Sequence, residues 1–254
     1  MKILATYSIK GGVGKTAAAV NLAYLAALDG APTLVWDLDP QGAASFYFRI
    51  KPKVKGGGKK LIHGDRPVDD LIKGTDYDRL DLLPSDFSFR HLDLVLDQTK
   101  KPIRQMQRVL KPVADEYDYL FLDCPPNISL LSECVIEIAD AILSPVIPTT
   151  LSIRTLDQLA RFIEKNACGS RLEMMPFFSM VDRRKNLHRE VIETLPERCP
   201  YMLSAHIPYA SDIERMGIER APLCSYSGKS RSAKAYRLLW DEIKRRLGNS
   251  GAGG

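Results

Sequence analysis

Apolar residues along the chain gather into short runs separated by stretches where they recur at helical spacing. The runs are KILATYS at 2–8, TLVW at 33–36, LDLL at 80–83, YLFLD at 119–123, AILSPVI at 141–147 and MPFFSMV at 175–181. Each has strand length and little polar alternation, the pattern of a strand covered on both faces. Helix-period segments lie between most of them. The clearest runs from Thr16 to about Asp29, with Gly30 where a C-terminal cap prefers glycine. Strands alternating with helices predict an α/β fold, a mainly parallel twisted sheet flanked by helices. No internal repeat or shift of composition marks a boundary, so residues 1–247 are read as one domain.

Two segments break the rhythm. KPKVKGGGKK at 51–60 has five lysines, three consecutive glycines and no acid, and is expected to be a mobile loop. It reads as a solvated linker or as a contact for a polyanion. Residues 248–254 are Gly, Asn, Ser and Ala only and are expected to be a disordered tail.

Composition narrows the class. With 254 residues, 45% hydrophobic and 26% charged, the chain can bury a sizeable core, which excludes disorder as its main state. No run approaches the ~20 apolar residues of a membrane span, and the chain opens on a strand-like segment without a charged-then-apolar leader. The expectation is a soluble, cytoplasmic protein. Cys124, Cys134, Cys168, Cys199 and Cys224 are widely spaced with no C-x-x-C pair, which argues against a disulfide framework and a structural zinc site. The net charge of +5 is unevenly placed: Lys229 to Arg246 holds seven basic residues against two acids. Such a stretch is either a footprint for a polyanion or a solvated helix face.

The sharpest chemical signal is Lys10-Gly11-Gly12-Val13-Gly14-Lys15-Thr16, set between a predicted strand and a predicted helix. Glycines let backbone N–H groups turn inward around phosphates, and the helix start adds its positive dipole end. Lys15 is placed to reach terminal phosphates and the Thr16 hydroxyl to ligate Mg²⁺. The fold expected is therefore a single-domain P-loop NTPase, with a nucleotide and Mg²⁺ as cofactors.

Ile9 stands where the ordinary motif has its first glycine, and a second lysine, Lys10, follows it. In this the segment resembles the deviant Walker A motif of the ParA/MinD family of ATPases. The resemblance implies ATP hydrolysis and a homodimer in the ATP state, with Lys10 crossing to the phosphates held by the partner subunit. Asp37-Leu38-Asp39-Pro40-Gln41-Gly42 is similar to the family's D-x-D-P-Q-G element, which implies that Asp39 orients the attacking water. Leu120-Phe121-Leu122-Asp123-Cys124-Pro125-Pro126 resembles its Walker B strand, with Asp123 on the metal side through water; Asp37 and Thr16 are placed with it. Taken alone, either Asp could instead cap the next helix. The stretch from Leu203 to Pro222 resembles the late strand and loop where the adenine lies near a proline such as Pro208. Gly11, Gly12, Val13, Gly14, Lys15, Thr16 and Ala17 complete the implied nucleotide set. Ala17 departs from members with a second Thr there, which implies one hydroxyl contact fewer.

Three branches are weighed on local features. Iron–sulfur carriers use paired cysteines near the C-terminus, and Cys224 has no partner at that spacing. MinD-like members end in a membrane-binding amphipathic helix. Here Tyr236, Leu239, Trp240, Ile243 and Leu247 form an apolar stripe beside Lys234, Lys244, Arg245 and Arg246, read as docked on the core in preference to a membrane. ParA-like partition and cargo-positioning ATPases remain. That branch implies non-specific DNA binding, with Arg183, Arg184, Lys185, Arg189, Lys229, Arg231, Lys234 and Arg237 as candidate phosphate contacts. It also implies nucleoid association and a cargo-linked, ParB-like activator. A ParA-like regulator of a polysaccharide synthesis complex stays open as the alternative.

Overall fold

The computed structural model describes residues 1–166 and 172–250. Seven strands form one sheet: β1 (Lys2–Thr6), β2 (Thr33–Asp37), β3 (Lys73–Gly74), β4 (Leu80–Leu83), β5 (Tyr119–Asp123), β6 (Ala141–Val146) and β7 (Glu173–Phe178). Their order is β3-β4-β2-β5-β1-β6-β7, and only the edge pair β3–β4 is antiparallel. All six apolar runs are strands, each within a few residues of its expected bounds. The short β3, Lys-Gly on an exposed edge, carries no apolar signal and escapes sequence reading.

Period-2 alternation along the central strands splits the core in two. Leu4, Val35 and Phe121 pack on one face of the sheet, while Ala5, Leu34, Trp36, Leu120 and Leu122 pack on the other. Helix α1 (Lys15–Leu28) covers the first face and is buried almost all round, so it shows no apolar stripe. It ends as expected: Gly30, at φ 97°, supplies the left-handed residue, and its N–H donates to Ala27 O. The other face is covered by α3 (Gly57–His63), α4 (Leu92–Asp97), α5 (Pro102–Leu110) and α6 (Leu130–Ile138), with α7 (Thr150–Asn166) beside them. The short α2 (Ala43–Tyr47) follows β2, and α8 (Asn186–Arg198) follows β7.

The last helix, α9 (Arg231–Ser250), docks against α1. Its stripe of Tyr236, Leu239, Trp240, Ile243 and Leu247 is buried in the first core. Trp240 packs edge-on to Tyr119 with ring centroids 5.2 Å apart. The stripe read as docked on the core is buried there.

Three expectations change. The lysine-rich segment is not a mobile loop throughout: Val54 is buried, and from Gly57 the chain enters α3, whose Leu61 and Ile62, just past the segment, are buried with Phe89 and Leu92. Its apolar residues are too few to give a periodic signal, yet they decide its placement. The late strand from Leu203 reduces to one parallel bridge, Val181 to Pro208. Helix α9 continues through Ser250, past the point where a tail was expected; residues 251–254, like Cys168, lie outside the described residues.

Candidate functional site

Parallel register brings the C-terminal ends of β1, β2 and β5 level, with Thr6 beside Asp123 and Asp37 beside Asp123. Ligands of open α/β sheets bind in this crevice. The chain leaves β1 at Thr6, turns through Gly11–Gly14 and enters α1 at Lys15. Gly12 and Gly14 hold φ of 68° and 95°, and a Cβ on Gly14 would sit 3.0 Å from Ser179 Oγ. Gly14 caps α1 without a side-chain bond, so the first helical N–H groups point into the turn. Lys15 Nζ folds over the turn and donates to Lys10 O at 3.3 Å. Burial lowers the Lys15 pKa, an effect opposed by Asp123, Cys124 and Asp39. Lys10 is half-buried and donates to Ser152 Oγ at 3.1 Å.

The two carboxylates define the electrostatics. Asp37 and Asp123 are both fully buried. Asp37 Oδ2 accepts from Ser45 N at 2.8 Å and Ser45 Oγ at 2.7 Å, while its Oδ1 has no partner. Asp123 Oδ1 accepts from Thr6 Oγ1 at 3.5 Å, and Oδ2 again has no partner. Burial, then the charge of Asp37, pushes the Asp123 pKa well up, against a hydrogen bond from Thr16. Burial likewise raises Asp37, to about 6. Two orphaned carboxylate oxygens side by side in the interior are costly unless a cation meets them. With the Thr16 hydroxyl they offer the all-oxygen surroundings that a hard divalent cation prefers.

Asp39 sits at the mouth of the crevice, half-buried, its Oδ1 accepting from Gln41 N at 2.9 Å and its backbone carbonyl from Ser85 Oγ. Pro208 reaches the site indirectly, through its bridge to Val181, two residues beyond the Ser179 that touches Gly14. Sequence reasoning missed the residues that hold these groups in place. Ser45 orients Asp37 and also accepts from Ser85 N at 3.0 Å. Asn21 ties α1 to the 211–227 segment, accepting from Leu223 N at 2.8 Å. A serine eight residues after Asp37 carries no motif; only the fold closes that distance.

The basic residues separate into groups. Arg183, Arg231 and Lys234 line one pocket of about 320 Å³ with His206. Arg184 is tied to Asp182 at 2.9 Å, Arg189 bonds to Asn186, and Lys185 caps α8. Lys229 is exposed just before α9. Arg237 is engaged elsewhere, paired with Asp29 at 2.6 Å.

The family described as "AAA domain" matches residues 1–173. The chain is 30% identical to the sporulation initiation inhibitor protein Soj of Bacillus subtilis, covering 95% of this chain and 98% of that one. It is also 30% identical to the chromosome partitioning protein ParA of Myxococcus xanthus, over 96% of this chain and 88% of that one. Among solved structures, cobyrinic acid a,c-diamide synthase from Mycobacterium smegmatis with bound ATP analog and magnesium superposes with a TM-score of 0.83 at 24% identity, covering 97% of this chain and 96% of that chain. At that identity the superposition speaks for the fold.

Proposed function

The chain belongs to the ParA/MinD-like family of P-loop ATPases, and from that premise we propose that it binds ATP with Mg²⁺, dimerises around it, holds DNA without sequence preference and positions a cargo. The observation that carries the nucleotide part is the pair of orphaned oxygens, Asp37 Oδ1 and Asp123 Oδ2, beside Thr16 and Lys15. The Gly11–Gly14 turn and Lys15 hold the β- and γ-phosphates. Thr16, Asp123 and Asp37 would hold Mg²⁺, which would supply neutralisation of the charge on the transferred phosphoryl group. Asp39 orients water, and Lys10 leaves Ser152 for the partner subunit's nucleotide. Pro208 lies against the adenine.

For DNA, the pocket cations Arg183, Arg231 and Lys234 are the main phosphate contacts, with Lys229, Lys185 and Arg189 at their edge. Arg184 and Arg237 contribute less, being paired to Asp182 and Asp29. The partition reading rests on relatives named for chromosome partitioning; the cargo is a plasmid, a chromosome region or a protein cluster, released when an activator stimulates hydrolysis. The test is retention of the full chain on random-sequence DNA with ATP and Mg²⁺. Binding is expected only with ATP and falls about 10³-fold between about 50 and 200 mM salt if three cations per subunit engage phosphates in a dimer. Lys10→Ala is expected to abolish both dimer and retention. A variant that dimerises and binds DNA normally would refute the role given to Lys10, and ATP-independent retention would refute the cycle.

A further inference from the structure

At the pole of the sheet opposite the phosphate turn, where β1 begins, α5 and the turn after it overhang a cavity of about 590 Å³. Its floor is apolar: Leu110 and Ile138 are buried and Ile3 half-buried. Its rim is cationic. Arg104, Arg108 and Lys111 stand at i, i+4 and i+7, spacing that puts them on one face of the helix. All three are exposed, and among the described residues none makes an ion pair; Arg108 has a 3.5 Å contact to Gln105 Oε1. Asp115 is the single acid in the lining. The nearby Asp140 is already engaged, accepting from Ile3 N at 2.7 Å and Lys2 Nζ at 3.3 Å.

The volume falls in the range of small-ligand sites, which pair apolar walls with a few convergent polar groups. Two guanidinium forks suit a carboxylate, which they can bind bidentately. A nucleic-acid backbone would leave the apolar floor unused. We propose that this cavity binds a small amphipathic carboxylate, an acyl or aryl acid. Its body lies on Ile3, Leu110 and Ile138, and its head group meets Arg104, Arg108 and Lys111.

The probe is decanoate below its micelle concentration, titrated into the full chain and followed by amide NMR and calorimetry. Saturable binding with a dissociation constant below about 1 mM is expected, with amide shifts centred on Ile3, Leu110 and Ile138. The exposed double substitution Arg104→Gln/Lys111→Gln should weaken binding at least tenfold while leaving Mg-ADP binding at the distant phosphate turn unchanged. Decanol, which keeps the body without the charge, should also bind at least tenfold more weakly. Non-saturating shifts, shifts at the phosphate turn or around Arg183, equal binding of decanol, or indifference to the double substitution would each overturn the proposal. So would an acidic peptide shifting these amides where decanoate does not.

Discussion

Two regions of this molecule hold carboxylates against packed elements, and they treat them in opposite ways. On the α1–α9 side the buried Glu242 and the exposed Asp29 both have protein partners on each oxygen. Glu242, 9% exposed, accepts from Ser204 N and Ala205 N at 2.9 Å each. Asp29 accepts from Arg237, Lys244 and the Trp240 indole. Burial pushes the Asp29 pKa up, but those three hydrogen bonds outweigh it and the net shift is downward. In the crevice at the ends of β2 and β5, Asp37 and Asp123 are buried more deeply, each keeps an oxygen without a partner, and both pKa values are raised. A fold that satisfies its structural acids but leaves two adjacent ones unsatisfied is holding them for something that binds.

The contrast breaks most sharply where charge meets phosphate. Lys15→Ala should lower ATP hydrolysis by at least about 10²-fold, the usual cost of deleting one electrostatic contact to a developing charge. Thermal melting should stay within a few degrees of the parent, because burial already disfavours the charged Lys15. Steady-state phosphate release and a melting curve measure the two; a large loss of stability with intact hydrolysis would invert the assignment. On the other face the effects should trade places. Glu242→Ala removes the acceptor of two backbone N–H groups, on exposed Ser204 and half-buried Ala205, and should cost about 1–2 kcal/mol in denaturant unfolding, with ATP affinity unchanged in the fraction that stays folded.

These two regions were also unequally legible in the sequence. The crevice announced itself because phosphate chemistry demands fixed residues at fixed spacing: Gly12, Gly14, Lys15 and Thr16 sit in one turn, and Asp37 and Asp123 each end an apolar run. The α1–α9 face was half legible. The stripe of Leu239, Trp240 and Ile243 predicted docking, but the basic residues beside it looked free. Arg237 and Lys244 are held by Asp29, more than 200 positions earlier, and no local pattern records a pairing at that distance. A like separation, 142 positions, hid Ser152 from Lys10, whereas Ser45, only eight residues after Asp37, went unseen because no motif marks it. The segment at 51–60 misled for a different reason: composition weighs all residues equally, whereas burying Val54 within it, and Leu61 and Ile62 just after it, outweighs the freedom of the glycines and lysines around them.

A smaller effect sharpens the comparison through pH. A carboxyl whose folded pKa is raised binds its proton more tightly when folded, so its contribution to stability falls as pH rises from the unfolded value towards the folded one. For Asp37 that window runs from 3.8 to about 6. Nucleotide-free protein should therefore lose stability between about pH 4 and 6 through this group. Asp37→Asn should remove that part of the dependence and stabilise the protein at pH 7 by about 1 kcal/mol, roughly 2–4 °C in Tm. Asp29 has the opposite sign: its lowered pKa gives stability that is present above the unfolded value and lost as pH falls through the folded one. Asp29→Ala should thus be most damaging near neutrality and matter least in acid. Parallel melting series for the two variants, taken without nucleotide, should diverge in this way; parallel curves would mean that the crevice acids are as well satisfied as Asp29.

The smallest expected change lies at Ala17, in the first turn of α1 two residues past the lysine that folds over the loop. Its backbone carbonyl is already used, accepting from Asn21 Nδ2 at 2.8 Å, but the methyl side chain offers nothing to a ligand. Ala17→Thr would place a hydroxyl one position beyond Thr16, at the helix start proposed to hold the phosphates. One neutral hydrogen bond is worth about 0.5–1.5 kcal/mol, while threonine in place of alanine costs up to about 0.7 kcal/mol in helix propensity. The second effect falls on folding and the first on binding, so they separate by measurement. ATP affinity, read by calorimetry with Mg²⁺, should tighten about 2- to 10-fold as Tm drops slightly. Unchanged affinity would place the α-phosphate beyond the reach of residue 17, and the missing hydroxyl would then be no handicap to this chain.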